Sequence, residues 1–443
     1  MSRSFQPHAF AKAMTENGHY ASDLKLIYQW TGTHWQAMEE EACEAMAYRW
    51  IVETQDVFAS DNNARRAFRS AALWLPPVPE MTTDIVIPCQ NGYVHVAEGL
   101  LLRAAAPSLG LRHVLACRYE PDSPPPQRFL AFLAQVLPDA DVRARVQEYV
   151  GYTLMSDARY QRAQLWLGAG ANGKGVLGNI IQALHGHVAA ISLDAMDGFK
   201  LSVLIGASLI YADEVPRQGI NEQLLKSMIA GERVQVDRKY KDPVSIHVRG
   251  KWLVLGNHLP AVTDHSAGFW RRWDIVPFDV TIPEGARDPL LADAIIEHEL
   301  AGVLNWALAG LLRLQRRGAF DPNLPGPMQR LLHDAKAETN SVLAWFEDCD
   351  IEVPSSTLST KDEVFAHYQD WCKRNGMSPM AMTRFWGRMK SIAPIEESRR
   401  RELGRQVRYC NVGLPGLYVS DDSSITGSHP QRGHLALSGV LGL

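Results

Sequence analysis

Gln164-Leu165-Trp166-Leu167-Gly168-Ala169-Gly170-Ala171-Asn172-Gly173-Lys174-Gly175-Val176-Leu177 is the stretch whose reading decides the fold. A short apolar run of strand type, residues 165–167, leads into a glycine loop of the form G-x-x-x-x-G-K. Val176, Leu177, Ile180, Ile181 and Leu184 follow at helical spacing. Strand, glycine loop, lysine and helix in this order make the phosphate-binding P-loop context. In such a loop successive backbone N–H groups turn towards one anion, and the helix N-terminus adds partial positive charge. The candidate cradle is Gly168, Gly170, Ala171, Asn172, Gly173, Lys174, Gly175 and Val176, with Lys174 as the point charge for the β- and γ-phosphates. One position departs from the pattern. The residue after the lysine is ordinarily Ser or Thr, whose hydroxyl ligates Mg²⁺, and here it is Gly175. The metal would rely on water and on an acidic residue elsewhere.

A chain of 443 residues exceeds one ordinary domain, so two to four are expected. With 46% apolar residues, 21% charged residues and a net charge of −4, the composition is that of a soluble globular protein. No apolar run reaches the length of a membrane span, and no signal-type apolar core follows the first residues, so no membrane partner is expected. The six cysteines are scattered without a C-x-x-C pair and read as reduced thiols of a cytoplasmic protein rather than disulfides or a zinc site. An acidic total excludes a wholly basic nucleic-acid binder, so nucleic-acid contacts would come from local basic patches.

Residues 1–150 read as an α/β accessory and assembly region. Residues 26–30 and 34–35 flank Thr31-Gly32-Thr33, which predicts a hairpin with exposed aromatics. A helix is expected over about 37–53. Residues 85–88 and 93–96 flank Asn91-Gly92, a second hairpin signal, and amphipathic helices are expected over 129–137 and 142–150. No catalytic constellation is visible there.

The chemistry lies in residues 151–320. Leu209-Ile210-Tyr211-Ala212-Asp213-Glu214 is a short apolar run ending in two carboxylates, a Walker B type strand end. Asp213 there can hold Mg²⁺ or its waters, and Glu214 can orient and deprotonate an attacking water. Val234 and Val236, then Val244, Ile246 and Val248, alternate with polar residues and predict a β-hairpin. Between Lys226 and Lys251 there are seven basic and three acidic residues, and the tip would carry Arg238, Lys239, Tyr240 and Lys241. Such a tip can contact phosphates and stack on a base; an ordinary charged turn is the alternative. A third apolar strand, residues 252–255, ends at Gly256-Asn257, where an amide can donate to a γ-phosphate and accept from water. Arg271 and Arg272 precede a further strand, and either could stabilise transition-state charge at a neighbour's nucleotide or serve as a structural ion pair. A long amphipathic helical pattern over 295–314 closes the region.

This ordered set (glycine loop with Lys174, apolar-Asp213-Glu214, basic hairpin, apolar-Gly256-Asn257, Arg271-Arg272) resembles superfamily 3 helicases, nearest to the phage and plasmid primase-helicase family with its poxvirus-type members. The resemblance spans about residues 20–415. It implies an α/β fold: an AAA+-like P-loop ATPase core, with an α/β N-terminal accessory domain and a C-terminal winged-helix-like domain. It further implies ATP and Mg²⁺ as cofactors, DNA as partner, and a homo-oligomeric ring, usually a hexamer, working in replication of a phage, plasmid or integrated element. A separate primase or other replication proteins would be further partners. Carried over by motif, Lys174 binds phosphate, Asp213 and Glu214 serve metal and water, Asn257 is the sensor, and Arg271 or Arg272 is the finger.

Residues 335–420 form a third unit. Thr360-x-x-Glu363 is a capping-box signature, and Val364, Tyr368 and Trp371 share the face of the helix that follows. A second helix begins at Met382 and carries Arg384 and Arg388, the further candidate DNA contacts. Arg399, Arg400, Arg401, Arg405 and Arg408 flank a hairpin around Gly404. Helix, helix and basic wing suggest a winged-helix DNA-binding module, with a solvated basic face as the alternative. The tail over 421–443, rich in Ser, Gly and His, is expected to be mobile. An origin-loading ATPase without processive unwinding and a small-molecule P-loop kinase are the other classes these motifs allow.

Overall fold

Five short apolar runs assemble into one parallel sheet. Its spatial order is Trp273–Pro277, Ala163–Leu167, Lys251–Gly256, Leu209–Ala212, Val188–Ala190, and every neighbouring pair runs parallel. A parallel sheet is covered on both faces, so its strands read as continuous apolar runs rather than alternating ones. On one face Trp166, Leu253, Leu255 and Val276 pack with Leu177, Ile180 and Ile181 of helix Lys174–Ala183. On the other, Leu165, Ile210, Val254 and Ile275 pack with Leu225 and Met228 of helix Glu222–Ile229 and with Val234, Val236 and Val244 of the hairpin Arg233–Arg238/Lys241–His247. All strands point one way, so the segments after residues 167, 212, 256 and 277 emerge along one edge. The glycine-loop strand lies between the two strands of this sheet that come last in sequence, a switch point of the kind at which open α/β sheets bind ligands.

The computed structural model describes residues 4–415 apart from 24, 25, 195, 217, 218, 239, 240, 261, 263–266, 403 and 404. The chain divides into two units, Met1–Thr339 and Asn340–Leu443. The domain boundary expected at residue 150 falls inside helix Ala140–Thr153. Val146, Tyr149 and Val150 of that helix share one core with the sheet and with helix Leu291–Arg317. The two helices cross at glycines: a Cβ on Gly151 would lie 2.5 Å from the Ala307 carbonyl oxygen, and one on Gly310 would lie 2.4 Å from that of Gln147. Helix Gln127–Val136 has no capping side chain of its own at its N-terminus; the Glu299 carboxylate accepts from the amides of Arg128 and Phe129 at 3.0 and 2.9 Å. Helix Leu291–Arg317 also amends the membrane expectation. It is long and apolar enough to cross one by composition, yet its Ile295, Val303, Leu304, Leu308 and Leu311 are wholly buried against protein.

Nearer the N-terminus, both hairpin signals correspond to paired strands. Leu26–Trp30 pairs with Trp35–Ala37, and Val86–Cys89 with Gly92–Val96. The expected exposure of the first hairpin's aromatics is corrected: Tyr28 and Trp35 are buried. The Trp35 indole donates to the Pro107 carbonyl at 2.9 Å, a partner far along the chain. Helices Pro7–Glu16 and Asp61–Trp74 complete this part, packed with helix Glu40–Gln55 around Phe10, Ala47 and Ala67.

The second unit begins five residues later than the expected 335, after helix Gly326–Thr339 ends. It runs helix Ser341–Asp348, strand Ser359–Thr360, helix Lys361–Arg374, helix Met382–Ile392 and hairpin Glu397–Glu402/Arg405–Cys410. The capping box forms: Thr360 Oγ1 accepts from the Glu363 amide, and the Glu363 carboxylate accepts from the Thr360 amide. Trp345, Tyr368, Phe385 and Met389 make its core, with the Tyr368 and Phe385 rings stacked at 4.6 Å. The 421–443 tail and Gly404 lie outside the described residues.

Candidate nucleotide and DNA site

The loop after Ala163–Leu167 is held from several sides. The Gly168 amide donates to the Gly256 carbonyl at 3.2 Å, and the Ile282 amide to the Ala171 carbonyl at 2.8 Å. Asn172 is buried and donates its amide to the Phe278 carbonyl at 3.0 Å. Gly173 caps the helix in the left-handed region, φ +82°. A Cβ there would stand 2.6 Å from Val136 Cγ1. Lys174 opens the helix, so its amide and those of Gly175 and Val176 belong to the first turn, which has no intrahelical acceptor. Its ammonium is buried among oxygens: Gly168 O at 2.6 Å, Asn172 Oδ1 at 3.1 Å and Asn257 Oδ1 at 3.5 Å. Burial pulls its pKa below the ordinary lysine value. A partly desolvated cation at the start of a helix favours an anionic ligand.

Asp213 and Glu214 follow strand Leu209–Ala212 at the same edge and are exposed. Asn257 follows Lys251–Gly256 and is likewise exposed. Strand register sets Gly256 beside Leu167 and Val254 beside Ala212, so the amide and both carboxylates emerge on the glycine-loop side of the sheet. Tyr211, which sequence reasoning passed over, packs against helix Lys174–Ala183. Burial first and the Asp213 charge second push its hydroxyl pKa up to about 12. Over Gly175 there is open space, and Gly175 contributes no side-chain oxygen. Among the described residues no cluster of three or more His, Cys, Asp or Glu side chains forms a metal cage. Asp213 and Glu214 are the two carboxylates that follow strand Leu209–Ala212 at this edge.

The arginine pair is divided by the fold. Arg271 is exposed, whereas Arg272 is half-buried and donates to the Gly268 carbonyl. Both precede strand Trp273–Pro277, whose Asp274 is fully buried and bound by Arg145 and Arg162. That ion cluster also escaped sequence reasoning; a lone Asp in the apolar strand was its one signal.

Of the hairpin tip, Lys239 and Tyr240 lie outside the described residues, as does the Lys241 side chain; Arg238 is half-buried where the strands close. The hairpin runs into the amino end of strand Lys251–Gly256, the edge opposite the glycine loop. In the second unit Arg384 is exposed and Arg388 half-buried on helix Met382–Ile392, and Arg399, Arg400, Arg401, Arg405 and Arg408 are exposed on its hairpin. A cleft of about 970 Å³ lies away from the glycine loop, between residues 34–40 and the edge strand Val188–Ala190.

Residues 8–138 match the family described as D5 N terminal like, and residues 166–272 match a family of unknown function, DUF5906. "Putative helicase 022R" of Frog virus 3 (isolate Goorha) is 26% identical over 302 residues, which cover 61% of this chain and 31% of the viral protein. These matches make the chain similar to phage and viral primase-helicases. A second relative is "Putative helicase L207/L206" of Acanthamoeba polyphaga mimivirus, 25% identical over 158 residues, covering 33% of this chain and 16% of that protein. The chain thus spans about a third or less of the length of these viral relatives. Two apo structures of the NrS-1 C-terminal region share the fold over 93% of this chain and all of theirs, with TM-scores of 0.54 and 0.55 at 13% and 12% identity.

Proposed function

We propose that this chain is the motor of an ATP-dependent DNA helicase of superfamily 3, assembling as a homo-oligomeric ring. The observation that carries the reading is the convergence of Lys174, Asn257 and Asp213 on one sheet edge at the strand-order switch point. In this reading the first-turn amides and Lys174 bind the β- and γ-phosphates, and Asn257 orients a water. That water attacks the γ-phosphorus, the bond to the ADP oxygen breaks, and Glu214 takes the water's proton. Asp213 would hold Mg²⁺, whose charge offsets that on the phosphates. Arg271, the exposed arginine, would reach the nucleotide of the next subunit. Arg238, Lys239, Tyr240 and Lys241 would contact the translocating strand. The helix–helix–hairpin order of the second unit supports a winged-helix module using Arg384, Arg388 and the hairpin arginines. Work in replication of a phage, plasmid or integrated element, beside a separate primase, fits the family.

DNA-stimulated ATP hydrolysis by purified protein tests the motor. Lys174→Ala and Glu214→Gln each abolish it, and full activity in either variant overturns the assignment. The exposed arginines of the second unit favour one other reading, an origin-loading ATPase. Strand displacement on a forked duplex separates the two: a loader hydrolyses ATP and leaves the fork paired.

A further inference from the structure

Gly175 and Gly178 lie three residues apart on helix Lys174–Ala183 and leave a bare strip along one side of it. Nothing lies within 4 Å of where a Cβ on Gly175 would stand. At Gly178 the corresponding point is 3.2 Å from the Tyr211 hydroxyl and 3.3 Å from Tyr211 Cε2. The tyrosine therefore fills the strip one turn beyond the position where P-loops ordinarily carry their hydroxyl. Strand alternation fixes which way it faces. Ile210 and Ala212 enter the core on the far side of the sheet, while Tyr211 packs in the core that holds Leu177, Ile180 and Ile181. Asp213 follows two residues after Tyr211, just past the carboxyl end of that strand. Among the described residues the Tyr211 hydroxyl has no hydrogen-bond partner.

We propose that Tyr211 takes over the part of the missing Ser or Thr: its hydroxyl holds a water of the Mg²⁺ that Asp213 binds. This rests on the nucleotide reading given above. Three residues of helix rise about 4.5 Å. One hydrogen bond of about 2.8 Å followed by one metal–oxygen bond of about 2.1 Å spans that distance. A phenol hydroxyl is suited to this outer position, since it both donates to and accepts from water. Tyr211 is a positioning residue, acting on metal through water.

The test is binding of a fluorescent methylanthraniloyl-ATP by the full chain, titrated with Mg²⁺ or held in EDTA. Tyr211→Phe raises the Mg²⁺ concentration needed for half-maximal tightening about tenfold, the effect of losing one hydrogen bond to a charged centre. Its affinity in EDTA and its melting temperature stay at wild-type values. Adding Gly175→Ser, which has room for its side chain, returns the Mg²⁺ response of the Tyr211→Phe protein to within about threefold of wild type. Superimposable Mg²⁺ curves for wild type and Tyr211→Phe overturn the inference, as does an equal loss in EDTA or a double variant left as weak as the single. If the wild-type protein binds no analogue under either condition, the nucleotide reading itself fails, and this inference with it.

Discussion

Arg145 holds Asp274 with two parallel hydrogen bonds, Nε to Oδ2 at 2.7 Å and Nη2 to Oδ1 at 2.9 Å. Asp274 is wholly buried, Arg145 is 3% exposed, and the guanidinium also lies 4.6 Å over the Phe320 ring. Charges this deep are tolerated because they are paired and hydrogen-bonded: Arg162 adds a contact to Oδ1 at 3.3 Å, and Arg145 Nη1 donates to the Asp321 carbonyl at 3.0 Å. Removing one partner leaves an uncompensated buried charge. Asp274→Ala is expected to lose about 3–5 kcal/mol of stability. The paired replacement Arg145→Met with Asp274→Leu should recover most of that loss. Urea unfolding followed by tryptophan fluorescence checks both, and equal losses in the single and double variants would contradict the ion-pair account.

Two glycines of the glycine loop make opposite predictions. Gly173 has a φ of +82° and no room before Val136. Gly173→Ala therefore meets a backbone penalty of about 1–2 kcal/mol together with overpacking of about 1–3 kcal/mol. Gly175 lies in a helix with open space beside it, so Gly175→Ala should raise stability by roughly 0.5–1 kcal/mol through helix propensity. Melting curves of the two variants should move in opposite directions.

Acid should weaken the first unit before carboxylates titrate. His185 is enclosed between Thr153 Oγ1 at 3.2 Å and Ser208 Oγ at 3.0 Å, and burial pulls its pKa down to about 3. Burial also holds His113 well below the ordinary histidine value. Between pH 6.5 and about 3 the unfolded chain binds a proton on His185 that the folded chain refuses. Stability is thus intact above pH 6.5 and falls as pH drops, by up to about 1.4 kcal/mol per pH unit for each such histidine. Unfolding free energies at pH 7, 6 and 5 measure this slope, and His185→Gln should remove about half of it.

The arginine pair separates by readout. Arg271→Ala should leave the melting temperature unchanged and lower ATP turnover by about 10³-fold, the scale of a lost arginine finger. Arg272→Ala, which frees the Gly268 carbonyl, should instead lower the melting temperature. Mixing Arg271→Ala with Lys174→Ala subunits restores partial turnover only if each supplies what the other lacks at a shared site. Silence in that mixture counts against an arginine acting across subunits.

What the sequence disclosed was mostly local. The glycine loop, the Asn91-Gly92 hairpin and the Thr360–Glu363 box depend on residues within a few positions of one another, so backbone chemistry alone reveals them. The apolar runs were legible as strands and the α/β core as what the resemblance implied, while their parallel pairing came from the structure. What stayed hidden depended on distant partners. Trp35 reads as exposed until Pro107 arrives to accept its indole proton, and nothing local to Asp274 points to Arg145, 129 residues away, as its partner. Asn172 has its place in the loop from pattern, but its bracing role needs Phe278 to return beside it. Tyr211 carries no pattern at all; only the bare side of the neighbouring helix gives it meaning.

Strand Trp273–Pro277 is five residues long, roughly 16 Å of extended backbone. Arg271 and Arg272 stand before one tip, and Phe278, whose carbonyl holds Asn172, stands after the other. Hydrogen-bonded to Ala163–Leu167 throughout, it behaves as a stiff rod rather than a string. In the proposed ring, a contact made by the exposed arginine at its near end would be linked through this strand to the glycine loop at its far end. Each copy of the chain would in this way sense, in its own loop, what its arginine touches outside.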